Sequence, residues 1–249
     1  MAGLRTLLEL GGATSTALSF DEIYVFNNNK VSPNNGGQCC LFTVPAGTAW
    51  FAVEMWGGGG GGAGACCCQQ CSPGGAGSYA RKFVTGLSGG EQYTICAAGS
   101  SCCASSCRGC SGFPSFVSVS GGSVEVCASG GSVGCTKCFF GDGCNRSGCQ
   151  QTQSGCWQGG MGICGVTGSA KGSSFCNQSS WQMIPSAPFT PGGARGSMSH
   201  CVNCHGCQVG GVAHWPGGGG ASASAHGGNS WNGAPGAGGL VIVYYGVPS

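Results

Sequence analysis

Six consecutive glycines, residues 57–62, follow directly on an apolar run, Trp50–Trp56 (WFAVEMW). No other feature limits the possible folds so strongly. Trp50, Ala52, Glu54 and Trp56 fall on one parity, Phe51, Val53 and Met55 on the other. Both faces are apolar apart from Glu54, which reads as a strand buried inside a sandwich. The glycines behind it have no Cβ and cannot build a side-chain core. They read as backbone packed closely against other backbone. Pro45-Ala46-Gly47 marks a turn ahead of the run, after a short strand ending in Phe42 and Val44. Near the other end of the chain, residues 239–246 (GLVIVYYG) form a second apolar, β-branched and aromatic stretch. The two are expected to lie in one β-structure, with the glycine-rich region between them projecting from it.

Glycine occupies 54 of 249 positions, about three times the usual share. Collagen is excluded because no G-X-Y period runs through the chain. Disorder calls for high net charge and few apolar groups, whereas 6% of residues are charged and 41% hydrophobic. The chain is therefore expected to be folded, compact and built into an assembly. A net charge of +2 with scattered Lys and Arg gives no electrostatic footprint for nucleic acid or anionic lipid. No run approaches the length of a membrane-spanning helix. The first twenty residues carry one Arg and a short apolar patch broken by Glu9, a poor match to a secretory leader. Yet 22 cysteines fall in the range of disulfide scaffolds. Both fit a protein that folds in a host cytoplasm and works outside after release, as a virion component does.

Residues 1–37 form a distinct segment with glycine sparse before Gly36 and no cysteine. A strand is expected over 20–26 (FDEIYVF), either annexed by the main domain or serving as a docking arm against a larger partner. Further strands are expected over 78–84, 91–96, 113–119 and 123–128, each set off by Gly turns. This grammar predicts an all-β, jelly-roll-like sandwich built from residues 38–128 and 233–249. Residues 129–232 are a glycine- and cysteine-rich insertion nearly free of strand signals. A structureless loop of that length does not suit a compact domain. Polyproline-II segments packed side by side are the expected alternative, by the crowding logic of collagen, with cross-links offsetting part of the ordering entropy.

Three groups of side chains could carry chemistry. Cysteine clusters at Cys66, Cys67, Cys68 and Cys71, at Cys102, Cys103, Cys107 and Cys110, and at Cys135 and Cys138 are candidates for disulfides, which are favoured over metal because their spacings are irregular. Cys201, Cys204, His205 and Cys207 are the best metal candidates, for zinc or iron. No cofactor is otherwise expected. Trp157, Trp181, Trp215 and Trp231 stand isolated among glycines. Each can plug a gap between segments, or offer a rigid aromatic to a sugar or protein. The seven acids sit mostly in strands or the N-terminal arm, with no nucleophile–base–acid arrangement, so an enzyme is not expected. Neither GxxxxGK[ST] nor a strand–GxGxxG–helix unit occurs.

The stretches FTVPAGTAWFAVEMWGGGGGGAG, GGAGSYARKFV, EQYTICAAG and GAPGAGGLVIVYYG resemble the glycine-rich domain of bacteriophage, including cyanophage, tail-fibre and virion appendage proteins. The likeness covers roughly residues 42–128 and 233–246; between them it is one of composition. It implies a sandwich carrying glycine polyproline-II helices, a host-facing structural role, and multimerisation as a homotrimer. Cysteine stands where that family generally has Gly, Asn or Ser. On this reading the arm docks on other virion proteins, and the 129–232 loops bind a host cell-surface glycan or protein. The alternative is a capsid decoration or filament subunit without receptor binding; a metal-binding protein is a weaker one. Neither nucleic acid nor membrane insertion is expected.

Overall fold

The computed structural model describes residues 22–27, 37–66, 69–70, 73–101, 110–120, 122–134, 157–163, 165, 169–171, 180–184, 187, 189, 195–199, 213–222, 224–225 and 230–246. Seventeen strands run along these residues: β1 Glu22–Asn27, β2 Gln38–Thr43, β3 Trp50–Trp56, β4 Ala65–Cys66, β5 Gln69–Gln70, β6 Tyr79–Thr85, β7 Gln92–Ala97, β8 Ser115–Val119 and β9 Val124–Ala128 in the first half. The second half holds β10 Trp157–Gln158, β11 Met161–Ile163, β12 Ser169–Lys171, β13 Ser180–Ile184, β14 Arg195–Ser199, β15 Ser224–Ala225, β16 Ser230–Trp231 and β17 Leu240–Gly246.

Two five-stranded antiparallel sheets make the framework, in the orders β1-β17-β3-β6-β11 and β10-β9-β8-β7-β2. The all-β sandwich read from the sequence is observed. The two apolar runs lie side by side, β17 against β3, with Val241 opposite Met55 and Tyr245 opposite Phe51. Parity decides which side chains enter the core. Phe51, Val53 and Met55 of β3 and Val241, Val243 and Tyr245 of β17 meet Phe42, Tyr93, Ile95, Val117 and Val126 of the other sheet. Each such side chain is worth about 1.5–3 kcal/mol on burial. β1 lengthens the first sheet by pairing along β17; the rest of residues 1–37, apart from Gly37, lies outside the described residues.

A corner joins the two sheets. β10 pairs with β9 of one sheet and β11 with β6 of the other. Gly159 and Gly160 between them have φ of 72° and 71°, two successive left-handed conformations that only glycine adopts freely and that turn the chain sharply from one sheet to the other. Beside this turn Lys82 reaches across from β6 to the carboxylate and carbonyl of Glu125 on β9. Arg81 and Lys82, read from the sequence as facing solvent, are both half-buried and paired.

Beyond one end of the sandwich the chain is ordered mainly by glycines and small residues. Residues 57–64 are all buried, and their N–H groups turn by thirds. Gly57 and Gly60 donate to Ser78 and Gly75, Gly58 and Gly61 to Phe113 and Cys110, Gly59 and Gly62 to Ala237 and Ala234. A three-residue repeat is the period of polyproline II. Three further segments fill the gaps between these neighbours. Gly131 and Gly134 donate back to the carbonyls of Gly58 and Gly61, and Gly220 to that of Gly60. A Cβ on Gly58 would lie 2.8 Å from the carbonyl oxygen of Gly99. Residues 57–64 thus run through the middle of a bundle formed by 73–78, 98–101, 110–114, 129–134, 217–222 and 232–239. At Gly59 and Gly60 the crowding leaves no room for a methyl group, whereas Ala63 farther along carries one, fully buried. A Cβ on Gly60 would fall inside the contact distance of the Ser132 carbonyl, and one on Gly59 inside that of Gly218.

The bundle is welded to the sandwich at Ser115. Its buried hydroxyl donates to the Trp56 carbonyl (2.7 Å) and accepts from the Ala98 N–H (2.9 Å). At eight residues and about 3.1 Å each, the central segment extends roughly 25 Å from that junction. At its far end β4 pairs with β16 and β5 with β15.

Candidate functional site

Two places could meet another molecule. The first is the distal end of the bundle. Segments 57–64 and 73–78 run out and back, as do 217–222 and 232–239, and the described strands β4, β5, β15 and β16 between them lie at this end. Cys66 and Trp231 have their backbones here, in the paired strands β4 and β16. Cys110, which enters its segment from the same end, is disulfide-bonded.

The second is the outer face of the β1-β17-β3-β6-β11 sheet. Tyr79, Arg81 and Phe83 alternate along β6, opposite Trp56, Glu54 and Ala52 of β3. Glu54 is the odd acid of an otherwise apolar strand and is 7% exposed. It is held by the Arg81 guanidinium (3.8 Å) and accepts from the Tyr244 hydroxyl (3.3 Å). Burial, then the charge and hydrogen bond of Glu54, push the Tyr244 phenol up to about 12. The Tyr79 phenol moves upward for the same reasons in the same order. A carboxylate with this many donors is an anchor that fixes the rings around it.

Those rings form an aromatic strip. Trp50 stacks on Phe83 with centroids 5.2 Å apart, and Tyr79 meets Trp56 at 5.1 Å. Phe189 crosses over Tyr79 edge-on at 4.9 Å, beside Ala187, which packs with Trp56 and Leu240. Phe83 (47%), Met161 (79%), Ile163 (46%) and Phe189 (69%) remain exposed. An apolar strip with a charged pair at its centre suits contact with a partner surface.

The tryptophans singled out in the sequence have their backbones in separate parts of the fold. Trp157 lies in the corner strand β10, Trp181 in β13 of a three-stranded sheet, and Trp231 at the distal end. Trp215 precedes a cis proline and is 40% exposed. Among the described residues no three His, Cys, Asp or Glu side chains are grouped to hold a metal ion. Cys201, Cys204, His205 and Cys207 lie outside the described residues, as do Cys67, Cys68, Cys71, Cys102, Cys103, Cys107, Cys135 and Cys138.

Sequence reasoning missed two features. The bridge Cys39–Cys96 joins directly opposed residues of β2 and β7; its signal was a cysteine on each of two alternating strands. The Glu54–Arg81–Tyr244 cluster was signalled by an acid and a base sharing the outward parity of neighbouring strands. No described helix is long and apolar enough to cross a membrane.

A family model for a glycine-rich domain matches residues 33–246. No curated protein matches the chain.

Proposed function

The chain belongs to the glycine-rich domain family, and from that premise we propose that it is a structural protein of a virion appendage, of the tail-fibre or spike kind, that presents its glycine bundle to a host surface. The observation that carries this reading is the three-residue rotation of hydrogen bonds about residues 57–62. It makes a rigid projection whose axis is glycine from 57 to 62 and whose far end carries the β4–β16 and β5–β15 pairs. Such a body suits the display of a contact surface at a distance from a sandwich base. In sequence, cysteine-rich stretches at 66–71 and 102–110 follow segments 57–64 and 98–101, and cross-links there would harden the projection against the medium outside a cell.

Immunogold labelling of released particles with antibody raised against the purified chain tests the reading. Label on an appendage is expected. Label confined to cell lysate, with particles bare, overturns it.

The exposed strip of Phe83, Met161, Ile163 and Phe189 favours a second reading, a decoration or filament subunit that assembles without touching a receptor. Excess purified chain separates the two. Competition with particles for adsorption supports host attachment, and unaffected adsorption by labelled particles supports the assembly subunit.

A further inference from the structure

We infer that β2 is a self-pairing edge, through which two copies of this chain join their β10-β9-β8-β7-β2 sheets into one continuous sheet. Sheet edges carry unpaired N–H and C=O groups, and stable proteins blunt them with charge, proline, brevity or a bend. Among the described residues the two five-stranded sheets have four edges, and three are blunted. β10 and β11 have two and three residues and turn into the corner at Gly159-Gly160, and β1 begins on Glu22. β2 is six residues, QCCLFT, with no charge and no proline.

The direction of its free groups follows from its inner partner. Val44 donates to Glu91 and accepts from Gly90, so even-numbered residues address β7. Cys39 and Cys96 have Cα atoms 4.0 Å apart, the close spacing of a pair that exchanges no backbone bonds. Cys39, Leu41 and Thr43 therefore aim their N–H and C=O groups away from the sheet, and all three are exposed. An antiparallel strand of this kind is complementary to itself. With a two-fold axis at Leu41, Leu41 faces the second copy's Leu41 and Cys39 faces its Thr43. Every pair in that register exchanges two bonds, and the Leu41 side chain, 54% exposed, is covered by its counterpart. Such a contact is isologous and closes at two, in place of the three-fold assembly that the family resemblance implies.

Sedimentation velocity on the full oxidised chain, with a non-reducing gel run alongside, tests the inference. The wild-type chain is expected to sediment as a non-covalent dimer. Leu41→Pro removes an outward N–H and none that β7 uses, so it gives a monomer with the wild-type melting curve. Should that variant unfold, Leu41→Lys serves instead, setting like charges opposite each other in place of an apolar contact and raising the dimer dissociation constant several-fold. Val124→Lys, an exposed change on β9, leaves the dimer intact. A wild-type monomer, a trimer, a dimer held only by disulfides, or a dimer indifferent to Leu41→Lys overturns it.

Discussion

Gly60→Ala is the sharpest probe of the glycine bundle. The added methyl would meet the carbonyls of Ser132 and Gly131, which are backbone atoms and cannot rotate aside. Both are already engaged, Ser132 by the Gly75 N–H and Gly131 by that of Gly112, at 2.9 and 2.8 Å. Relief requires displacing segment 129–134 and lengthening at least one buried hydrogen bond, at about 1–3 kcal/mol. Crowding in a filled interior adds about 1–3 kcal/mol. Alanine restricts the unfolded chain and returns up to about 1 kcal/mol. The net expected loss is about 1–6 kcal/mol, centred near 3–4 kcal/mol. Gly86→Ala is the control. A Cβ there meets nothing within 4 Å, and its φ of 72° costs only about 1–2 kcal/mol of left-handed strain. Equilibrium urea unfolding of the oxidised protein, followed by tryptophan fluorescence, should give Gly60→Ala the lower midpoint with little change in slope. If Gly60→Ala unfolds at or above the midpoint of Gly86→Ala, the close-packed backbone argument is wrong.

Ser115→Ala leaves the Ala98 N–H and the Trp56 carbonyl without their buried partner; a loss of about 2–4 kcal/mol is expected in the same assay, and a loss below 1 kcal/mol would remove Ser115 from the junction. Replacing Cys39 and Cys96 together by Ser opens a link across 57 positions, and chain entropy puts the cost at about 4 kcal/mol, read as a lower melting temperature under non-reducing conditions. The fold holds Tyr244 in its neutral form by raising its phenol from 10.0 to about 12. Its contribution is complete below pH 10 and is lost as pH rises from 10 through 12. Unfolding midpoints across that window should therefore fall more steeply in the wild type than in Tyr244→Phe, and parallel curves would contradict this.

The sandwich was legible because its strands carry the information twice, in parity and in punctuation. Phe51, Val53 and Met55 name one face of β3, and Pro45 to Gly47 fixes where the strand begins. The bundle was legible only in kind. Glycine says that backbone comes close to backbone, but nothing in GGGGGG distinguishes the neighbour at Ser78 from that at Phe113 or Ala237. Those choices are set by where β3, β6, β8, β9 and β17 end, which is a property of the whole fold. β13 was missed because Trp181, Met183 and Ile184 offer a short strand signal inside a glycine- and serine-rich stretch. Arg195–Ser199 carries no strand signal at all and takes its form from its partner β13. The tryptophans stood out in sequence for their isolation, and their backbones fall in separate parts of the fold. The outer-face cluster did converge because Glu54 and Arg81 occupy opposed positions of adjacent strands.

The manner in which residues 57–62 share out their bonds also governs how the projection fails under load. A pull along its axis tries to slide the middle segment past 73–78, 110–114 and 232–239 at once. Hydrogen bonds lying across the direction of sliding are loaded in parallel, in shear, and none can be peeled open ahead of the rest. Twisting finds no weak azimuth either, since successive residues tether it on a different side. Mechanical toughness here arises from geometry and needs no large side chain anywhere along the axis.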